Sequence, residues 1–113
     1  MSAKEPSARG RRTQERLDVL VAWADRNPVP GTILRIAREL LAVDVRDRIF
    51  GIFNRKLELI AMAHLAYPTD FRAAGFAEFG VSVSRHARGR GYGTRLFERA
   101  AIHAVNDGVG SKP

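Results

Sequence analysis

The segment Arg88-Gly89-Arg90-Gly91-Tyr92-Gly93 is the part of this sequence best suited to chemistry. Alternating glycines let successive backbone N–H groups turn toward one point, because glycine accepts left-handed backbone angles and puts no Cβ in front of the amides. An apolar stripe at helical spacing follows (Leu96, Phe97, Ala100, Ala101, Ala104), so the loop opens into a helix. The unpaired first-turn N–H groups and the dipole of that helix favour an anion, in particular phosphate or pyrophosphate. Arg85, Arg88 and Arg90 at the rim add longer-range attraction, although each equally suits a solvated surface position. Two common phosphate-binding patterns do not fit. No Lys lies between Lys56 and Lys112, which removes the Gly-Lys-Ser/Thr element of a nucleotide triphosphatase loop. Glycines at 89, 91 and 93 lack the Gly-x-Gly-x-x-Gly spacing of a dinucleotide fold, and nothing after Gly108 supplies its second strand and acid.

Such a loop needs a strand before it and a helix after it. Phe76 to Ser84 alternates, with Ala77, Phe79, Val81 and Val83 on one face and Glu78, Gly80, Ser82 and Ser84 on the other, which is strand periodicity. Tyr92 to Gly108 is the helix, with Gly108 suited to a left-handed C-terminal position. Upstream, Arg48 to Phe53 and Leu57 to Tyr67 read as two strands joined by a turn at Asn54-Arg55-Lys56, and Pro68 stops the second because its ring cannot donate to a ladder. Thr69 to Gly75 reads as a loop. Leu17, Leu20, Val21 and Ala24 fall on one face of a helix that starts at Thr13 and ends at Asn27-Pro28. Ile33, Ile36, Ala37 and Leu40 repeat the spacing in a second helix, capped by Thr32 and running to about Asp44. Met1 to Arg12 has no apolar period and is assigned as a flexible basic tail, residues 1–12, ahead of one domain, residues 13–113.

Composition bounds what this domain can be. A chain of 113 residues that is 45% hydrophobic has room for a core without metal or disulfide staples. With no cysteine there is no disulfide, thiolate zinc site or Cys nucleophile. His64, His86 and His103 lack metal-site spacing, the nearest pair being 17 residues apart, so no metal is expected. His64 lies on the second strand, facing either a cleft or the helices, and a satisfied structural histidine is the preferred reading. No stretch approaches the ~20 apolar residues of a membrane helix. No secretory signal is seen, and Arg11-Arg12 is followed too soon by Glu15, Arg16 and Asp18 for twin-arginine export, so the chain is read as soluble and cytoplasmic. The net charge of +7 comes from 19 basic residues, 16 of them Arg, against 12 acidic ones. They cluster in the tail and again between Arg85 and Arg99, the second cluster surrounding the glycine loop.

The order and spacing of these features resemble the GNAT superfamily of N-acetyltransferases. The acetyl-CoA motif of that family places a strand ending in Val, then four residues, Arg or Gln, two residues, Gly, one residue, and Gly or Ala. Here Val83, Arg88, Gly91, Tyr92 and Gly93 stand at those spacings, with the helix where the family has one. The hairpin and a strand carrying Glu78 five residues before Val83 extend the resemblance over Arg48 to Gly108, and the two N-terminal helices join it more loosely. The resemblance implies an α/β fold of the α+β type: two N-terminal helices, antiparallel strands and the motif helix. It also implies acetyl transfer from acetyl-CoA, the cosubstrate, to an amine acceptor by direct attack, with no metal. Backbone N–H groups from Arg88 through Gly89, Arg90, Gly91, Tyr92 and Gly93 to Thr94 would cradle the CoA pyrophosphate. The main chains of Val81 and Val83 would meet the pantetheine arm. Glu78 would take the proton of the amine, directly or through water; apart from the resemblance, it is equally an ordinary polar residue on a half-exposed strand.

After the motif helix the family continues with a splayed strand, another helix and further strands, whereas here Val109 is followed by Gly110-Ser111-Lys112-Pro113. The expectation is a fold lacking the usual C-terminal strands and helix, with weak or absent activity as a monomer. A fragment, a shifted reading frame, and completion by a partner chain or a second copy all stay open. The rival readings are a noncatalytic CoA-binding or protein-interaction module and, resting on the arginine clusters alone, a nucleic-acid binder. The acceptor amine is not identified by the sequence.

Overall fold

Apolar stripes on three helices and both faces of a short sheet build three layers around one central strand. The structure, a computed structural model, describes residues 8–24, 30–41 and 46–110. In chain order the elements are α1 (Ala8–Ala24), α2 (Pro30–Leu40), β1 (Arg48–Phe53), β2 (Leu59–Ala66), α3 (Phe71–Ala74), β3 (Glu78–Val83) and α4 (Tyr92–Asp107). The strands form one antiparallel sheet in the order β1-β2-β3, so β2 is central and buried along nearly all its length.

Leu17, Leu20, Val21 and Ala24 of α1 pack with Ile33 and Ala37 of α2 onto Leu59 and Met62 of β2, as the helical spacing predicts. On the opposite face, Leu96 of α4 sits over Ala61 and Ala63, whose small side chains let the helix approach the sheet. Phe79, Val81 and Val83 of β3 flank that second core, while Gly80 faces α1 at Leu17 and Gln14, so the alternation read in β3 is the one observed.

Four differences from the sequence reading have local causes. Helix α1 begins at Ala8, ahead of Thr13. Ala and Arg are strong helix formers, and extending a docked helix costs far less than nucleating one, so lack of apolar period did not stop it. Strand β2 begins at Leu59 instead of Leu57. The hairpin turn extends further: Leu57 takes a left-handed conformation (φ 62°), and the Asn54 side-chain oxygen accepts the N–H groups of Lys56 and Glu58. The register then skips Ile60, so that Phe53 pairs with Leu59 and Ile52 with Ala61; this bulge turns Leu59 toward α1. Finally, the segment read as a loop before β3 contains the one-turn helix α3, closed by Gly75 at φ 73°. Because α1 starts at Ala8, residues 8–12 of the tail expected over residues 1–12 are helical, and because α2 starts at Pro30, Thr32 lies within its first turn and is not its N-cap. Residues 1–7 of that tail, the Asn27-Pro28 break and residues 42–44 of the second helix's expected extension lie outside the described residues.

Helix α4 ends as its Gly108 foretold. Gly108 is left-handed, its N–H meets Val105 O, and the Val109 N–H reaches Ala104 O. The same end is tied to the sheet by Asp107, which accepts two bonds from Arg48 (3.0 and 2.8 Å) and a third from the Tyr67 hydroxyl. Burial first, and the neighbouring carboxylate second, push the Tyr67 phenol up to about 12. The Arg48 hydrogen bond holds Asp107 below the usual carboxylate range. The signs differ. Asp107 contributes stability above that range and loses it as pH falls through its lowered value. Tyr67 keeps its contribution below about pH 10 and loses it as pH rises toward 12. In a spectrophotometric titration the ionisation that Tyr67→Phe removes should therefore lie near pH 12. A step removed near pH 10 would show that the Asp107 contact does not hold in solution.

Candidate functional site

The site is built where β3 hands over to α4. Because β3 is antiparallel to β2 and Ser84 N–H bonds to Ile60 O, the even-numbered residues of β3 direct their backbone groups to β2, and Phe79, Val81 and Val83 direct theirs to the outer edge. Past Val83, a single 3-10 turn at Arg85–Ala87 and an extended Arg88 lead into the glycines. Gly89 and Gly91 both adopt positive φ, 78° and 80°. A Cβ added at either would meet nothing within 4 Å, so backbone angle, not crowding, demands glycine and the space in front of the loop is open. Gly93 is different: its added Cβ would rest 4.0 Å from Val83, an ordinary contact.

Gly91 is the N-cap of α4 and has no side chain to cap with. The first helical bond is Arg95 N–H to Gly91 O, so the N–H groups of Tyr92, Gly93 and Thr94 precede any intrahelical acceptor. Three uncapped donors, a helix dipole and exposed Arg85, Arg88 and Arg90 surround one opening. Beside it a cavity of about 620 Å³ lies between α1 and the end of β3, lined by Asp18, Ser82, Ser84, Arg85, His86 and Arg88 among others.

The structure separates some residues that the sequence grouped. Arg88 turns its Nε back to Val83 O at 3.3 Å, while Arg90 and Thr94 are simply exposed. Tyr92 packs its ring into the second core with Val81, Val83 and Leu96, and Arg95 sits 5.8 Å over it, so it braces the loop. Glu78 is half-buried at the opposite end of β3, paired with Ala66, and does not line the cavity. His64 is buried and hydrogen-bonded through Nε2 to Asp47 (3.0 Å), whose other oxygen accepts the Tyr67 N–H, in keeping with a structural role. His103 lies against Phe50. Among the described residues no group of three or more His, Cys, Asp or Glu is arranged to hold a metal ion, and no helix is long and apolar enough to cross a membrane.

Sequence reasoning missed the contribution of α1. Gln14 reaches the outer edge of β3, where its Nε2 donates to Val81 O (2.8 Å) and its Oε1 accepts the Val81 N–H (3.2 Å). The available signal was Gly80, a strand glycine of the kind that marks a close approach.

An open glycine loop between a strand end and an uncapped helix fits more than one family, so comparison with known proteins decides. The family described as acetyltransferase (GNAT) family matches residues 14–112, most of the chain. The chain belongs to the GNAT family. The match takes in α1 from Gln14 onward, the hairpin, the glycine loop and α4, and membership supports an acetyltransferase-type function in general. In this GNAT domain the three-stranded sheet and flanking helices are the mixed α/β arrangement that the resemblance implied. No curated protein and no solved structure matches the chain.

Proposed function

We propose that this GNAT domain binds acetyl-CoA and transfers its acetyl group to an amine. The observation that carries this reading is the loop itself: two left-handed glycines with open space before them, running into a helix with three free first-turn amides. Those features suit a pyrophosphate, which accepts hydrogen bonds from several donors at once. In this proposal the backbone from Arg88 to Thr94, including Gly89, Arg90, Gly91, Tyr92 and Gly93, holds the pyrophosphate. The outward backbone groups of Val81 and Val83 receive the pantetheine arm. The arm would run along β3 toward Glu78, which at strand rise is about 16 Å from Val83.

Glu78 then acts as general base. It takes a proton from the ammonium, the free amine attacks the thioester carbon, and the tetrahedral intermediate collapses with cleavage of the C–S bond. The nitrogen gives up its second proton as the C–S bond breaks, and that proton passes through water to the departing thiolate, leaving the amide and the free thiol. Glu78→Gln should lower acetyl transfer to a reactive primary amine about a hundredfold at neutral pH and remove the acid limb of the pH–rate profile. An unchanged profile would take Glu78 out of the reaction.

A second reading, coenzyme binding without turnover, is favoured by the place of Glu78, which lies at the far end of β3 and outside the lining of the cavity beside the loop. Turnover of acetyl-CoA by the purified chain separates the two readings.

A further inference from the structure

The Gln14 carboxamide sits on β3 as the peptide group of a neighbouring strand would. It donates to Val81 O at 2.8 Å and accepts Val81 N–H at 3.2 Å, satisfying both outward-facing groups of that residue. Its amide group also donates to Asp18 Oδ1 at 3.0 Å, one turn along α1, which fixes the orientation of the carboxamide. Room for it is made by Gly80, where a Cβ would come within 3.1 Å of Gln14 Oε1. Two residues further toward the loop, Val83 O accepts Arg88 Nε, so two side chains together cover the outer edge of β3 beside the cavity. Covering an open strand edge is a known need, because unpaired N–H and C=O groups invite pairing with other chains.

We infer that Gln14 is a latch on the β3 edge: any ligand that adds to this edge through an amide must displace its carboxamide, so binding competes with the Gln14–Val81 contact. The ligand class is an extended chain carrying an amide. Taking coenzyme A as that ligand rests on the reading proposed above. The latch makes affinity a competition, in which the free chain binds more weakly than the same edge with Gln14 removed.

Two variants open the latch independently. Gln14→Met keeps the length of the side chain and removes both hydrogen-bonding groups. Gly80→Ala leaves Gln14 intact and crowds its oxygen away from the edge. Thermal unfolding establishes that both are folded. Amide exchange at Val81 in the free protein should accelerate roughly tenfold in each variant, and coenzyme A measured by calorimetry should bind roughly tenfold more tightly. An unchanged Val81 exchange rate in both variants would overturn the latch. So would faster exchange with weaker coenzyme A binding, since Gln14 would then be part of the binding site and not a cover over it. Faster exchange with no coenzyme A binding by wild type or variants would leave the latch standing and overturn the coenzyme reading alone.

Discussion

His64→Ala should lower the unfolding free energy by about 3 kcal/mol, which for a domain of this size moves the melting temperature by roughly 10 °C or more. His64 is 1% exposed, and the Asp47 carboxylate it contacts is 0% exposed. Removing the imidazole leaves a cavity under the central strand and strips a buried carboxylate of a 3.0 Å partner. Each effect alone is costly, because a polar group desolvated without compensation loses the full penalty of leaving water. The loss should be strongly non-additive. Asp47→Ala and His64→Ala together should cost less than the sum of the single changes, and a double-mutant cycle by urea denaturation should show coupling of about 1–3 kcal/mol. Additive losses would mean that the two side chains do not share an interaction.

Gly91→Ala should have its largest effect on binding, not on folding. The backbone there is left-handed at φ 80°, so any L side chain costs about 1 kcal/mol. A Cβ meets no protein atom, so stability should suffer no more than that. The same Cβ would project into the space where the proposed pyrophosphate lies, and a loop that relaxes to relieve φ would turn its amides away. Coenzyme A affinity should therefore fall well over tenfold. Gly93→Ala is the control, because its Cβ would make only a 4.0 Å contact with Val83. Equal affinity losses in the two variants would show that backbone conformation at Gly91 is not what binds.

Much of this site was legible because its chemistry depends on residue type and spacing within one short stretch. Positive φ can be anticipated from glycine, and the strand and helix on either side announce themselves by periods of two and of three to four. The two helices and the hairpin were legible for the same reason. What escaped the sequence depends on contacts between distant segments. Nothing near Ile60 marks it as a bulge; the skip appears only because Phe53 and Leu59 must both face α1. Helix α1 runs back to Ala8 through residues with no apolar pattern. Gln14 reads as one more polar residue of an exposed helix face, yet it reaches a strand 67 residues away. His64 carried two open orientations until Asp47 was found beside it.

The central claim is that the β3–α4 loop holds the pyrophosphate of coenzyme A. Calorimetric titration of the full chain with coenzyme A and, in parallel, with pantetheine, which shares the arm but carries no pyrophosphate, tests it most directly. The account predicts saturable binding of coenzyme A, affinity for pantetheine lower by two orders of magnitude or more, and loss of most of that difference in Gly91→Ala. Equal affinity for the two compounds, or no binding of coenzyme A, would contradict it.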